Sequence, residues 1–168
     1  MNLDEAVIIA MGANLAFQGR SVQAVLEAAC DRLWAEGMKP LARSRWWRSS
    51  AWPDPSQPLF LNGVALVETD LDPAAVMAAL QHVEAAFGRQ RSQPNAPRTL
   101  DLDLIAYGRR IIDEPGLTVP HPRAAERLFV MGPLAEIAPD WRHPALGRAA
   151  RDLAAQASVG TDARPAPD

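Results

Sequence analysis

Asp101 and Asp103 stand two apart within Leu100-Asp-Leu-Asp-Leu-Ile-Ala-Tyr107, where carboxylates and leucines alternate. In a strand, residues i and i+2 share a face, so the two carboxylates converge while Leu100, Leu102 and Leu104 point the other way. Like charges side by side are unfavourable unless a cation lies between them, and carboxylate oxygens are the ligands Mg²⁺ prefers. An isolated Asp-x-Asp is more often a solvent-facing pair with scattered counterions, but here the neighbours favour a metal. Arg98 stands three residues upstream, and Arg89 and Arg91 precede it in a loop short enough to hang over the carboxylate face. Arginines beside a two-carboxylate metal site are what polyphosphate chemistry requires: the metal clamps phosphate oxygens, and guanidinium groups take up charge on the transferring and leaving groups. Lys39 is the only lysine and there is no Gly-x-x-x-x-Gly-Lys-Ser/Thr loop, so a Walker-type site is excluded. Phosphates would have to be held by arginine and metal.

The chain that must position these groups has 168 residues, 48% hydrophobic and 22% charged, which suits one compact domain with a real core. We expect a single domain over residues 1–160 and a flexible tail over 161–168, with no fused neighbouring enzyme in the chain. Seventeen basic residues against 20 acidic ones leave a net charge of −3, so no sequence-wide attraction to nucleic acid or to an anionic membrane exists. Cys30 is the only cysteine, which rules out an internal disulfide and a cysteine-based zinc site. The acidic start and the short apolar run after it do not make a signal peptide, and no stretch approaches the ~20 apolar residues of a membrane span. A cytoplasmic monomer acting on small molecules, binding neither nucleic acid nor membrane, is expected.

Apolar patterning gives the order of elements. Ala6–Met11 reads as a buried strand, and Ser21 caps a helix with Val22, Val25, Leu26, Ala29 and Leu33 at helical spacing. Leu41–Arg48 reads as a second strand, followed by a Pro-rich loop at 53–58. Leu59–Val67 is a third strand, Asp72-Pro73 starts a second helix that closes at Gly88, and Leu100–Tyr107 is the fourth strand. The succession βαββαβ is that of an α+β, ferredoxin-like fold: an antiparallel sheet with both helices on one face and the other face open. Extra C-terminal elements, including a helix from Pro122 to about Leu134, would lie around this core. His82 and His143 are read as structural. An RNA-binding module on the same fold would want aromatics on the central strands and a basic face. The first strand has no aromatic, and the open face would carry Asp101 and Asp103.

The segment Ala96-Pro-Arg-Thr-Leu-Asp-Leu-Asp-Leu-Ile105 closely resembles the signature of the 6-hydroxymethyl-7,8-dihydropterin pyrophosphokinase family. Gly12-Ala-Asn-Leu15 resembles the family's turn after strand one, Phe60-Leu-Asn62 its Tyr/Phe-Leu-Asn, and Leu117-Thr-Val-Pro-His121 with Arg127-Leu-Phe129 its downstream box. The likeness runs from about Val7 to Pro144 with the motifs in order. It implies a ferredoxin-like fold and transfer of pyrophosphate from ATP to a pterin alcohol in folate biosynthesis. It further implies that Asp101 and Asp103 hold two Mg²⁺ ions, and that Arg89, Arg91 and Arg98 face the phosphates. Gln81, Glu84, His121 and Arg127 match its ATP contacts. Asn62 matches the amide that reads the pterin edge, Phe60 and Phe129 the aromatics that sandwich the ring, and Ser49 and Trp52 fall near positions whose backbone meets it. The chain departs from the usual pattern at Pro94 and Asn95, in a loop about one residue shorter, and an arginine common upstream of the Thr-Val-Pro-His box is absent near Gly116. The nucleophile would be the substrate's own hydroxyl, so no protein nucleophile is required.

Overall fold

The computed structural model describes residues 2–51, 54–89 and 100–167. After a 3₁₀ turn at Leu3–Glu5, the chain runs β1 (Val7–Ala13), α1 (Val22–Ala35), β2 (Met38–Arg43), β3 (Trp47–Ser49), β4 (Phe60–Thr69), α2 (Pro73–Ala86) and β5 (Asp101–Tyr107). There follow β6 (Ile112–Glu114), β7 (Leu117–Val119), α3 (Leu128–Ile137), α4 (Ala150–Gln156) and β8 (Arg164–Pro165). Both long helices start where side-chain oxygens can cap them: Ser21 Oγ accepts from Ala24 N at 3.2 Å and Asp72 Oδ1 from Ala75 N at 2.8 Å.

A six-stranded antiparallel sheet has the order β5-β1-β4-β3-β8, with β2 pairing the far half of β4. This is the ferredoxin-like order, since the first, third and fourth strands of the βαββαβ set lie adjacent. Strand alternation splits the core in two. Val7, Ile9 and Met11 pack with Leu102 and Leu104 under α1 and α2, while Ile8 and Ala10 pack with Val64 and Leu66 under α3 and α4.

Three expectations are corrected. The second face of the sheet is not open: Met131, Leu134 and Leu153 cover it, and Trp141 is buried beside them. The apolar residues of β1 face both ways, and burying the second set needs these C-terminal helices. The single strand expected over Leu41–Arg48 is two, because buried Ser44 donates its hydroxyl to Arg45 O at 2.7 Å and accepts from Val64 N at 3.0 Å. That local bonding breaks the ladder between β2 and β3. The helix expected from Pro122 begins only at Leu128, after a 3₁₀ turn at Ala124–Glu126.

Within the segment read as a tail, Arg164–Pro165 form β8 and pair along β3. Trp47 stands opposite Pro165 and Arg48 opposite Arg164, and Ala166 N donates to Trp46 O at 2.9 Å. These contacts are non-local, which is why tail composition did not announce them.

Trp46 is buried with its ring against the backbone of Gly63, where an added Cβ would lie 2.5 Å from Trp46 Cζ3. Gly63→Ala is therefore expected to destabilise the fold by about 1–3 kcal/mol through overpacking, read as a lower urea midpoint at unchanged slope. An unchanged midpoint would mean that the ring has room to yield.

Candidate active site

The sheet register assembles a cleft at one end of the second face. Gly12 on β1 is opposite Asp101 on β5 and opposite Asn62 on β4, so carboxylate, glycine and amide form one row across three strands. Ala10 stands opposite Asp103. A Cβ on Gly12 would sit 3.2 Å from Asn62 Oδ1, so the absent side chain keeps the space between carboxylate and amide clear. Asn62 is 6% exposed, and its Nδ2 donates to Ser49 Oγ at 3.0 Å, which fixes the amide orientation and leaves the carbonyl on the Gly12 side. The start of α3 supplies the opposite wall with Arg127, Phe129 and Val130. The cleft thus has a charged end, with Asp101, Asp103, Arg123 and Arg127, and an end of ring-sized apolar walls and amide, with Phe60, Phe129 and Asn62.

Charge is distributed unevenly. Burial, reinforced by Asp101, pushes the Asp103 carboxyl up to about 7, and Arg127 pulls against this. Arg89 donates to both Glu84 and Asp101, so one guanidinium joins α2 to the carboxylate strand. Glu84 is 2% exposed and also accepts from Leu102 N at 2.9 Å. A buried carboxylate in the middle of an apolar helix face is tolerable because these donors meet it. Burial lowers the Arg127 pKa, while Asp103 works to raise it.

His121 N donates to Ile105 O at 2.9 Å, tying its loop to β5. Its Nδ1 accepts from Arg123 N at 3.2 Å, which places the ring proton on Nε2 as a donor. Burial, helped by Arg127, lowers its pKa to about 4. A ring titration followed by NMR should show His121 neutral until about pH 4. The unfolded chain takes up this proton first, so the group costs stability as pH falls from 6.5 through 4. Asp103 acts in the opposite sense over the same interval, so His121→Gln against wild type is the comparison to make. A ring midpoint at 6.5 or above would remove the burial argument.

The structure brings Ser49, Phe60, Asn62, Asp101, Asp103, Arg127 and Phe129 together around this cleft. Arg89 and Glu84 lie behind the carboxylates, engaged with one another, while Gln81 is exposed on α2 and does not line the cleft. Trp52, Arg91 and Arg98, together with Pro94 and Asn95, fall outside the described residues. Arg123, Ser50 and Gln57 line the cleft and were missed. The one available signal was the position of Arg123 two residues after His121.

Residues 8–139 match the sequence model for 7,8-dihydro-6-hydroxymethylpterin-pyrophosphokinase (HPPK). A 2-amino-4-hydroxy-6-hydroxymethyldihydropteridine pyrophosphokinase of Pseudomonas aeruginosa is 41% identical over 140 residues, covering 83% of this chain and 85% of that protein. The Synechocystis protein of the same name is 38% identical over 141 residues, covering 84% and 70%. The Pneumocystis carinii folic acid synthesis protein fol1 is 38% identical over 144 residues, 86% of this chain but only 19% of that protein. The chain likewise spans 44% of the wild-type Plasmodium falciparum HPPK-DHPS crystallised with pteroate, with a TM-score of 0.70 at 12% identity over 89% of this chain. At that identity the structural likeness speaks for the fold alone.

Proposed function

The chain belongs to the 7,8-dihydro-6-hydroxymethylpterin-pyrophosphokinase family, and from that premise we propose that it transfers pyrophosphate from ATP to the hydroxymethyl group of 6-hydroxymethyl-7,8-dihydropterin. The products would be AMP and the pterin diphosphate, within folate synthesis. The observation that carries this reading is a single cleft joining the Asp101 and Asp103 carboxylates to Asn62, Phe60 and Phe129.

At the ring end, two aromatic side chains suit a flat heteroaromatic, and an amide with a fixed orientation can read its edge. At the charged end, the Arg127 guanidinium is a donor for phosphate oxygens, and His121, near enough to feel Arg127 and Asp101 though it does not line the cleft, carries a further donor at Nε2. The substrate's hydroxyl attacks the β-phosphorus, and the chain contributes position and charge rather than a nucleophile. Arg89 holds Asp101 from behind and so aims that carboxylate into the cleft.

The donor set suits Mg²⁺. Asp101 and Asp103 are hard oxygen ligands, and a dication would relieve the repulsion that raises Asp103. Among the described residues no group of three or more His, Cys, Asp or Glu is arranged to hold a metal ion, and phosphate would supply further oxygens. When bound, the metal, expected as two ions, would stabilise charge developing on the phosphate oxygens.

The test is a product assay with 6-hydroxymethyl-7,8-dihydropterin, ATP and Mg²⁺, with an EDTA control. AMP and the pterin diphosphate formed only when pterin and metal are both present is the expected result. ADP in place of AMP would identify a different phosphoryl transferase. No helix among the described residues is long and apolar enough to cross a membrane. A cytoplasmic monomer working on small molecules is the setting this reading assumes.

A further inference from the structure

We infer that the C-terminal segment 158–167, acting through Asp162 and Gly160, is a positioning element for the ring-binding end of the cleft. The inference rests on the pterin reading of that end. The segment lies beyond residue 139, where the family match stops.

It touches both walls of the ring end. On one side, Asp162 Oδ2 accepts from Ser50 N at 2.9 Å and from Ser50 Oγ at 2.6 Å. Ser50 and its neighbour Ser49 both line the cleft, and Ser49 in turn holds the Asn62 amide at 3.0 Å. On the other side, Leu128 N donates to Val159 O at 2.9 Å, and Val159 N donates to Glu126 O at 2.9 Å, so the segment is bonded across the start of α3. There the ring of Phe129 rests against the backbone of Gly160. A Cβ at Gly160 would fall 2.4 Å from Phe129 Cδ1, and its φ of +67° is in the region that favours glycine.

The ladder contacts of β8 with β3 complete the connection. One short segment therefore sets where the serine edge of β3 stands and where the Phe129 ring stands. Val159 also bridges Arg127, which belongs to the charged end, whereas the Asp162 bonds reach only the serine side of the ring end. Such a brace acts by holding side chains in the orientation the ligand needs, so its loss should weaken ring binding without removing the chemistry.

The experiment uses the full chain and compares Asp162→Ala, Asp162→Asn and Gly160→Ala with wild type. Binding of 6-hydroxymethyl-7,8-dihydropterin and of ATP is titrated separately, and kcat and KM are measured for both. Asp162→Ala should weaken pterin binding roughly fivefold, the scale of one net hydrogen bond, with ATP binding and kcat at saturation changed less than twofold. Asp162→Asn keeps an oxygen that can accept both bonds and should restore pterin affinity. Gly160→Ala should weaken it further by displacing Phe129; if that variant does not fold, the Asp162 pair alone decides.

Pterin affinity within twofold of wild type in Asp162→Ala would overturn the inference while leaving the pyrophosphokinase reading intact. Equal losses for ATP and pterin would overturn it too, since they mark a general structural brace. Failure of the wild-type chain to bind the pterin would overturn the reading of the ring end itself, and this inference with it.

Discussion

Asp101→Ala and Asp103→Ala are each expected to lose on the order of 10³-fold or more in kcat while remaining folded. The folding half of this expectation follows from where the carboxylates stand. Both project from β5 into the cleft, whereas the core contacts of that strand come from Leu102, Leu104, Ile105 and Ala106. Removing Asp101 leaves Arg89 paired with Glu84. Removing Asp103 relieves a carboxyl that burial and Asp101 push up to about 7.

That shift has a sign. A carboxyl whose folded pKa lies above its unfolded 3.8 subtracts stability as pH rises from 3.8 through about 7. In EDTA, Asp103→Asn should therefore gain stability over wild type, and gain more at pH 8 than at pH 5. Turnover should follow the opposite course, because the charge that is costly to the empty fold is the one a metal would use. AMP release at saturating ATP and Mg²⁺, with urea unfolding of the same samples, checks both halves. A variant with near-native kcat would remove the two-carboxylate argument.

Arg89→Ala should damage stability and rate together. Its side chain is 10% exposed and Glu84 is 2% exposed, so the substitution strips a shared guanidinium from two carboxylates in a poorly solvated place. Breaking a buried pair from one side costs about 3–5 kcal/mol. Adding Glu84→Gln removes the buried negative charge yet keeps an oxygen to accept from Leu102 N. The double variant should recover more than half of the lost stability and little of the lost kcat, because the Arg89 bond to Asp101 is still gone. Recovery of rate along with stability would show that Arg89 serves only to neutralise Glu84. Stability within about 1 kcal/mol of wild type in the single variant would show the pair to be solvated after all.

Much of the site was legible because its signals are local. Strand alternation is a property of neighbouring residues, so Asp101 and Asp103 could be placed on one face before any contact was known. Asn62 in an apolar strand announced itself as a polar group needing a partner, though Ser49 as that partner comes from strand pairing. Glu84 was named only through the family resemblance; that it lies on the buried side of α2 beside Leu80 and Val83 comes from the structure. Its tie to Arg89 and to a β5 amide spans strand and helix, beyond the reach of periodicity.

By itself the sequence determined the βαββαβ order, the helix starts at Ser21 and Asp72, and the face on which the two carboxylates stand, because caps and periods are short-range. Tertiary structure alone decided that the second face is covered by α3 and α4, that Arg89 is shared between Glu84 and Asp101, that Arg123 enters the cleft, and that residues near Asp162 pair with β3. Each of these depends on contacts between segments far apart in the chain. Which distant segments meet is settled by how the whole chain buries its apolar faces and satisfies its buried polar groups.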